Sequence, residues 1–342
     1  MTDTVIAQQP EDLLRVEDLK VHFPTDRGML KAVNGVNFSV SKGQTLGIVG
    51  ESGCGKSITG KAIIGIQPKT SAVTGSVKLG DVDLVKLKRN GKEIRAIRGS
   101  RIAMIFQEPM AAFSPLYTIG NQIMESILLH RTKNKKEAVK LTIDILRRVG
   151  ISNPEKRFHQ YPHEFSGGMM QRAMIAMALS CNPELLIADE PTTALDVTIQ
   201  SQVLELMKEL QQEFGMAIVF ITHDLGIVAE MCDEVAVMYL GKIVERAPVA
   251  DIYHAPKHPY TQGLLRSIPT IESRKERLES IEGTVPIPLH MPPMCEFYDR
   301  CPDRIPGLCN KREVPHTQLS DRHSVSCFLY AEHEEETGSK HE

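Results

Sequence analysis

The chain has 342 residues, 42% of them apolar, and 40 basic against 43 acidic side chains give a formal net charge of −3. That length and apolar content suffice for a sizeable core, while the near-balance of charge excludes a global attraction to nucleic acid or an anionic membrane, so any partner must be recognised locally. Seven cysteines are an odd number for a disulfide framework, and their spacing has to be read as metal-binding, catalytic or merely buried.

The N-terminal MTDTVIAQQPEDLL lacks the basic start and apolar run of a secretory signal. No stretch reaches the roughly 18 apolar residues of a membrane-spanning helix, so a cytoplasmic location is expected. Apolar, β-rich runs recur at 45–50 (TLGIVG), 101–107 (RIAMIFQ), 184–190 (ELLIADE), 217–224 (AIVFITHD) and 234–244 (EVAVMYLGKIV), each expected to be a buried strand. Between them, Val203, Leu206, Met207 and Leu210 fall at i, i+3, i+4 and i+7 ahead of Gly215, which predicts a helix halted at that glycine. Strands alternating with helices imply a mainly parallel sheet. After about residue 246 the texture changes, with four prolines in Val285–Pro293 and four of the seven cysteines beyond residue 294. A second, smaller region is expected there, followed by a charged tail from Glu332 expected to be disordered.

Gly50-Glu51-Ser52-Gly53-Cys54-Gly55-Lys56-Ser57 fits the phosphate-loop pattern G-x-x-x-x-G-K-[ST], and it stands directly after a strand and before an apolar helical stretch. Glycines let the backbone curl so that N–H groups face phosphate oxygens, and Lys56 neutralises charge there. The hydroxyl of Ser57 suits Mg²⁺. A second acidic element, Asp189-Glu190, ends the strand LLIAD. Adjacent strand residues point opposite ways, so Asp189 can join the Mg²⁺ shell while Glu190 polarises an attacking water. Gln107, Asp196 and His223 also stand at or just beyond strand ends, where a γ-phosphate could be reached. Ser166-Gly167-Gly168 precedes the helical run MMQRAMIAMALS; Ser166 can cap it and the glycines leave N–H groups open, a second anion site if it is more than an ordinary loop. Methionines 169, 170, 174 and 177 are read as core packing.

Together, GESGCGKS, Gln107, FSGGM, LLIADE, ALD and ITHD resemble the nucleotide-binding cassette of ABC transporters over roughly residues 13–245. The fold this implies is an α/β phosphate-loop cassette, a mixed sheet core with a helical subdomain at about 108–180, followed by a small Pro/Cys-rich region at 246–330 and a tail at 331–342. The resemblance implies ATP contacts from Gly50, Ser52, Gly53, Cys54, Gly55, Lys56, Ser57 and Ile58, with adenine stacked on Phe23. It further implies Mg²⁺ held by Ser57, Gln107 and Asp189, Glu190 as base, His223 as γ-phosphate linchpin and Asp196 in the dimer loop. Ser166, Gly167 and Gly168 of one cassette would close head to tail on the ATP of another. The expected function is ATP hydrolysis energising an importer, the alternative being a soluble ABC ATPase without a membrane partner.

YPHEFSGGMMQRAMIAMAL, HAPKHPYTQGLL and the cysteine-bearing end are similar to the oligopeptide/dipeptide permease ATPases. Met169 stands where the signature usually carries glutamine, as in the permeases' first ATPase. The partners this implies are a second, different ATPase subunit, two membrane-spanning permease subunits and, indirectly, an extracellular solute-binding protein. No nucleic acid is expected, and the location would be peripheral, on the cytoplasmic face of the membrane. Cys295, Cys301, Cys309 and Cys327 are separated by five, seven and seventeen residues, unlike the paired spacing of a zinc ribbon. Some members of the resembled family carry an iron–sulfur cluster on such cysteines, so a [4Fe-4S] cluster is expected, with zinc and unligated thiols as alternatives. Because this site is far along the chain from Lys56 and Glu190, its loss is expected to destabilise its own region and leave nucleotide affinity largely unchanged.

Overall fold

The computed structural model describes residues 12–193, 195–268, 281–289 and 292–331. The tail from Glu332 and the first eleven residues lie outside that set. The chain opens with a long antiparallel hairpin, β1 (Asp12–Thr25) and β2 (Gly28–Ser41). The phosphate-loop strand β3 (Thr45–Val49) and helix α1 (Lys56–Ile63) follow. β4 (Ala72–Leu79) and β5 (Val82–Asp83) then return to the hairpin and complete a four-stranded antiparallel sheet, β2-β1-β4-β5, which sequence patterning did not anticipate. Its inward side chains, among them Leu14, Val16, Leu19 and Val21, share one core with Leu46, Ile48, Ile63 and Val219. The antiparallel sheet thereby covers α1 and one face of the main sheet.

After α2 (Lys92–Ile97) comes β6 (Ile102–Ile105). Five helices then precede the next strand: α3 (Pro109–Ala112), α4 (Ile119–His130), α5 (Lys135–Arg148), α6 (Pro154–Phe158) and α7 (Gly167–Leu179). The chain re-enters the sheet as β7 (Leu185–Asp189), α8 (Val197–Phe214), β8 (Ala217–Thr222), α9 (Leu225–Met231) and β9 (Glu234–Tyr239). Strands β9, β3, β8, β7 and β6 are parallel neighbours. Every residue of β3, β7 and β8 is buried, as covering on both faces requires. Helix α8 ends at Gly215 in the left-handed conformation, φ 63°, as the periodicity predicts.

The run 234–244, expected as one strand, is instead a hairpin: β9 pairs antiparallel with β10 (Lys242–Pro248), Tyr239 opposite Lys242. Its two turn residues, Leu240 and Gly241, have φ of 42° and 80°. A two-residue turn with both φ positive matches the twist of the flanking strands. A Cβ at Gly241 would lie 2.9 Å from the Ala32 carbonyl oxygen, so the close approach of β2 also demands glycine. Helices α10 (Val249–His254) and α11 (Pro259–Arg266) follow, then β11 (Thr317–Ser320) and β12 (His323–Val325). Since β12 pairs with β10, the late segment extends the main sheet to the order β11-β12-β10-β9-β3-β8-β7-β6. Residue 245, the expected domain boundary, falls inside β10. Among the described residues no helix is long and apolar enough to cross a membrane.

Candidate active site

The loop between β3 and α1 is curled by left-handed glycines, and Gly55, φ 105°, caps α1. A Cβ at Gly55 would sit 2.3 Å from the Ala32 carbonyl oxygen, so no other residue fits that corner. Lys56 is buried and its ammonium donates to the carbonyl oxygens of Gly50 at 2.7 Å and Glu51 at 3.0 Å, which fixes it across the mouth of the loop. Ser57 Oγ donates to Asp189 Oδ1 at 2.8 Å, joining the loop to the end of β7. Asp189 is 1% exposed. Burial pushes its carboxyl above the ordinary aspartate range despite the Ser57 hydrogen bond, so this anion is short of positive charge. A divalent cation would supply that charge, and the Ser57–Asp189 pair fits one.

Three strand ends meet at Glu190. Gln107 Nε2, beyond β6, donates to Oε2 at 3.1 Å; Thr193 Oγ1 donates to the same oxygen at 2.9 Å; His223 Nδ1, after β8, lies 3.2 Å from Oε1. Burial works against ionisation of Glu190, but hydrogen bonds from His223 and Thr193 outweigh it and hold the carboxyl below the ordinary glutamate value. Its backbone is left-handed, φ 46°, pinned by Glu190 N–H to the Ile221 carbonyl at 2.9 Å. A non-glycine residue in this region stores strain of order 1–3 kcal/mol, and such positions cluster at active sites. Thr193 was not singled out in the sequence; its distance of three residues from Glu190, in a turn, was the available signal.

Ser166 caps α7, its hydroxyl accepting from Met169 N–H at 3.4 Å. Apart from its chain neighbours and the backbone of its own helix, no described heavy atom lies within 4 Å of the place a Cβ would take on Gly167, so this helix start is open to an approaching surface. Gln171 in α7 donates to the Pro191 carbonyl, tying that helix to the turn after Glu190. Asp196 caps α8 by accepting from Ile199 N–H at 3.0 Å. Phe23 stands in β1 opposite Leu30, half-buried against the core that contains Cys54 and Ile63. Met170 and Met174 are fully buried core residues, whereas Met169 is only partly covered.

The late cysteines come together: Cys295, Cys301, Cys309 and Cys327 all border one cavity of about 10 Å³, beside His258. Burial pushes three of the thiols up, Cys295 to about 12, Cys301 to about 11 and Cys327 in the same direction, so uncompensated these three stay protonated. Among the described residues no group of three or more His, Cys, Asp or Glu is arranged to hold a metal ion. Four cysteines are the right donor type for thiolate ligation, but they are not arranged to hold a metal here, and the space, about that of one water, does not hold a cluster without widening. This region is not remote from the phosphate loop as its sequence distance implied. Arg300, next to Cys301, forms a two-pronged ion pair with Glu51 at 2.7 and 3.0 Å, and Tyr260 Oη accepts Glu51 N–H at 2.9 Å.

Residues 33–193 match the ABC transporter family, and residues 244–309 match the C-terminal region of oligopeptide/dipeptide transporters. The oligopeptide transport ATP-binding protein AppD of Bacillus subtilis is 50% identical over 94% of this chain and 97% of its own length. The dipeptide transport ATP-binding protein DppD of Escherichia coli is 46% identical over 92% and 96%. Among solved structures, cbiO1 of Clostridium perfringens, part of the ABC transporter complex cbiONQ, superposes with a TM-score of 0.60 at 27% identity, over 72% of this chain and 92% of that one. A dimeric ATP-binding cassette bound to ADP and Pi has the same fold, with a TM-score of 0.62 at 24% identity over 69% of this chain and 98% of that one.

Proposed function

We infer the activity from one premise: the chain belongs to the ATP-binding subunits of ABC transporters, in the oligopeptide/dipeptide branch. It is an ATPase that energises an importer of peptides or similar small solutes. The observation that carries this reading is the meeting of a phosphate loop with an ionised strand-end carboxylate, Lys56 and Ser57 on one side and Glu190 on the other, joined through the Ser57–Asp189 hydrogen bond. Loop N–H groups and Lys56 bind the phosphates. Glu190 takes a proton from water as its oxygen attacks the γ-phosphorus, and the bond to the ADP oxygen breaks. Ser57, Asp189 and Gln107 would hold Mg²⁺, which neutralises charge on the phosphate oxygens when bound. His223, already against Glu190, orients that carboxylate and reaches the γ-phosphate; Phe23 stacks adenine.

ATP binding closes a head-to-tail cassette dimer and hydrolysis reopens it. The open approach to Gly167 supports this closure, since Ser166–Gly168 can then contact ATP held by the partner's loop. Met169 in the signature favours a second, different cassette as partner. The apolar side chains after Gln107, with Met110 62%, Leu116 78% and Tyr117 61% exposed, offer the docking surface for two membrane-spanning subunits, placing the chain at the cytoplasmic face of the membrane. Cargo would reach those subunits from an extracellular binding protein. Glu190→Gln should leave ATP binding intact and slow turnover by roughly 10²–10⁴, whereas Lys56→Ala should weaken binding itself. A Glu190→Gln protein turning over at the wild-type rate removes Glu190 from the role of base.

The four late cysteines are proposed to ligate a [4Fe-4S] cluster that cross-links the proline-rich segment, with zinc as the competing occupant. The assignment is motivated by the convergence of four thiols on one cavity, which must widen to take a cluster. Anaerobically purified protein is then expected to be brown, to contain iron and acid-labile sulfide, and to lose colour in Cys301→Ser or Cys309→Ser. Stoichiometric zinc without sulfide selects zinc; metal-free protein with all four thiols alkylated in the native state sinks both.

A further inference from the structure

We propose that Arg300 and Tyr260 are positioning residues for the phosphate loop, setting Glu51, and through it Lys56, for nucleotide binding; this rests on the loop reading above. Glu51 is the first residue after Gly50, and the loop's curl needs nothing from its side chain. That side chain is nevertheless gripped. Arg300 Nη1 donates to Glu51 Oε2 at 2.7 Å and Nη2 to Oε1 at 3.0 Å, a planar fork that fixes a carboxylate in orientation as well as distance. The backbone is held as well, Glu51 N–H by Tyr260 Oη at 2.9 Å, while the Glu51 carbonyl accepts from Lys56 Nζ at 3.0 Å. One residue therefore receives both C-terminal contacts and supplies one of the two loop carbonyls that hold Lys56.

The grip is itself rigid. Arg300 is 6% exposed in its side chain, its Nε donates to the Glu282 carbonyl at 2.9 Å, and its guanidinium lies over the rings of Tyr239 and Phe297 at 5.8 and 6.0 Å. Tyr239, Tyr260 and Phe297 pack mutually with centroids 4.7 to 5.3 Å apart. Electrostatics gives the pair a task beyond fastening. A free carboxylate in a phosphate-binding loop repels the ligand; Arg300 neutralises it and draws it toward the C-terminal region. Arg300 adjoins Cys301, one of the residues that border the cysteine cavity.

The test is calorimetric titration of the intact chain with ATP. Arg300→Ala should weaken ATP binding about tenfold, the scale of a coupled contact pair. Adding Glu51→Gln in that background should restore part of the loss, the share due to the unpaired carboxylate, and leave the share due to the lost grip. A merely structural Arg300 would lower thermal stability without that rescue. Wild-type affinity in folded Arg300→Ala, or a double variant binding no better than the single, overturns the proposal. Should Arg300→Ala fail to fold, Arg300→Lys, which keeps charge but loses the fork, and Tyr260→Phe carry the test: severalfold weaker binding supports the clamp, and wild-type affinity in both overturns it. Lys56→Ala separates the two levels. If it binds ATP normally, the loop reading itself fails and the clamp with it; if it loses ATP while the Arg300 and Tyr260 variants do not, only the clamp fails.

Discussion

The Glu190 pocket and the cysteine cavity both gather residues far apart in sequence, but they do so by different means. Gln107, Glu190 and His223 extend from β6, β7 and β8, adjacent parallel strands whose ladder pairs Ile105 with Ala188 and Asp189 with Ile221. Register alone brings these strand ends level, and the cooperative hydrogen bonds of a buried sheet fix it. Cys295, Cys301, Cys309 and Cys327 stand outside any strand, joined by a few local bonds such as Cys295 N–H to the Cys309 carbonyl at 2.7 Å and Ile305 N–H to Cys309 Sγ at 3.4 Å. A site set by sheet register tolerates the loss of one contact. A site set by irregular backbone depends on each anchor.

The strongest way to break this comparison is at Glu245. Its carboxylate, in β10, is fully enclosed and accepts from Lys257 N–H at 2.7 Å, His258 N–H at 2.8 Å and His323 Nε2 at 2.9 Å, binding α11 and β12 to the sheet. Glu245→Ala leaves those donors buried and unpaired and should cost about 3–5 kcal/mol. Chemical denaturation read by cysteine alkylation should find the late thiols exposed before the parallel strands melt. Simultaneous loss of both regions would erase the distinction.

Acid should separate the regions next. His258 is pushed down to about 3 by burial, and its Nδ1 accepts from Tyr260 N–H at 3.0 Å, so the folded chain excludes a proton that the unfolded chain binds. Stability from this group is complete above about pH 6.5 and is lost as pH falls from there toward the folded value, by about 1.4 kcal/mol per pH unit. Glu190 is held below the ordinary glutamate value by His223 and Thr193 against burial, so it remains ionised at pH 5.5 as at pH 7. Hydrogen exchange at pH 7 and 5.5 should therefore find α11 loosened and β7 unchanged. The smallest effect is expected at Ser166→Ala. Loss of its cap on α7 should cost about 1 kcal/mol in denaturant midpoint, and a larger cost would mean that this helix start is an anchor for the fold.

The phosphate loop, the order of polar residues at strand ends and the α8 helix stopping at Gly215 were legible because each depends on local pattern: glycine placement, period-2 or 3.6 burial, a capping residue. The hairpin at Leu240–Gly241 was hidden because two buried strands joined by a two-residue turn read as one apolar run. Thr193 donates to Glu190 only because the turn after β7 folds back.

Motif spacing by itself pointed to a phosphate-binding loop, since such a backbone and its lysine must be contiguous; that the nucleotide is cleaved followed from the resemblance to the ABC cassette. Tertiary structure alone decided that β12 would complete the sheet, that four scattered cysteines would border one cavity and that Arg300 would reach Glu51 across 249 residues. Such contacts are set by the closure of long loops, whose entropic cost grows only slowly with length, so sequence distance carries almost no information about them.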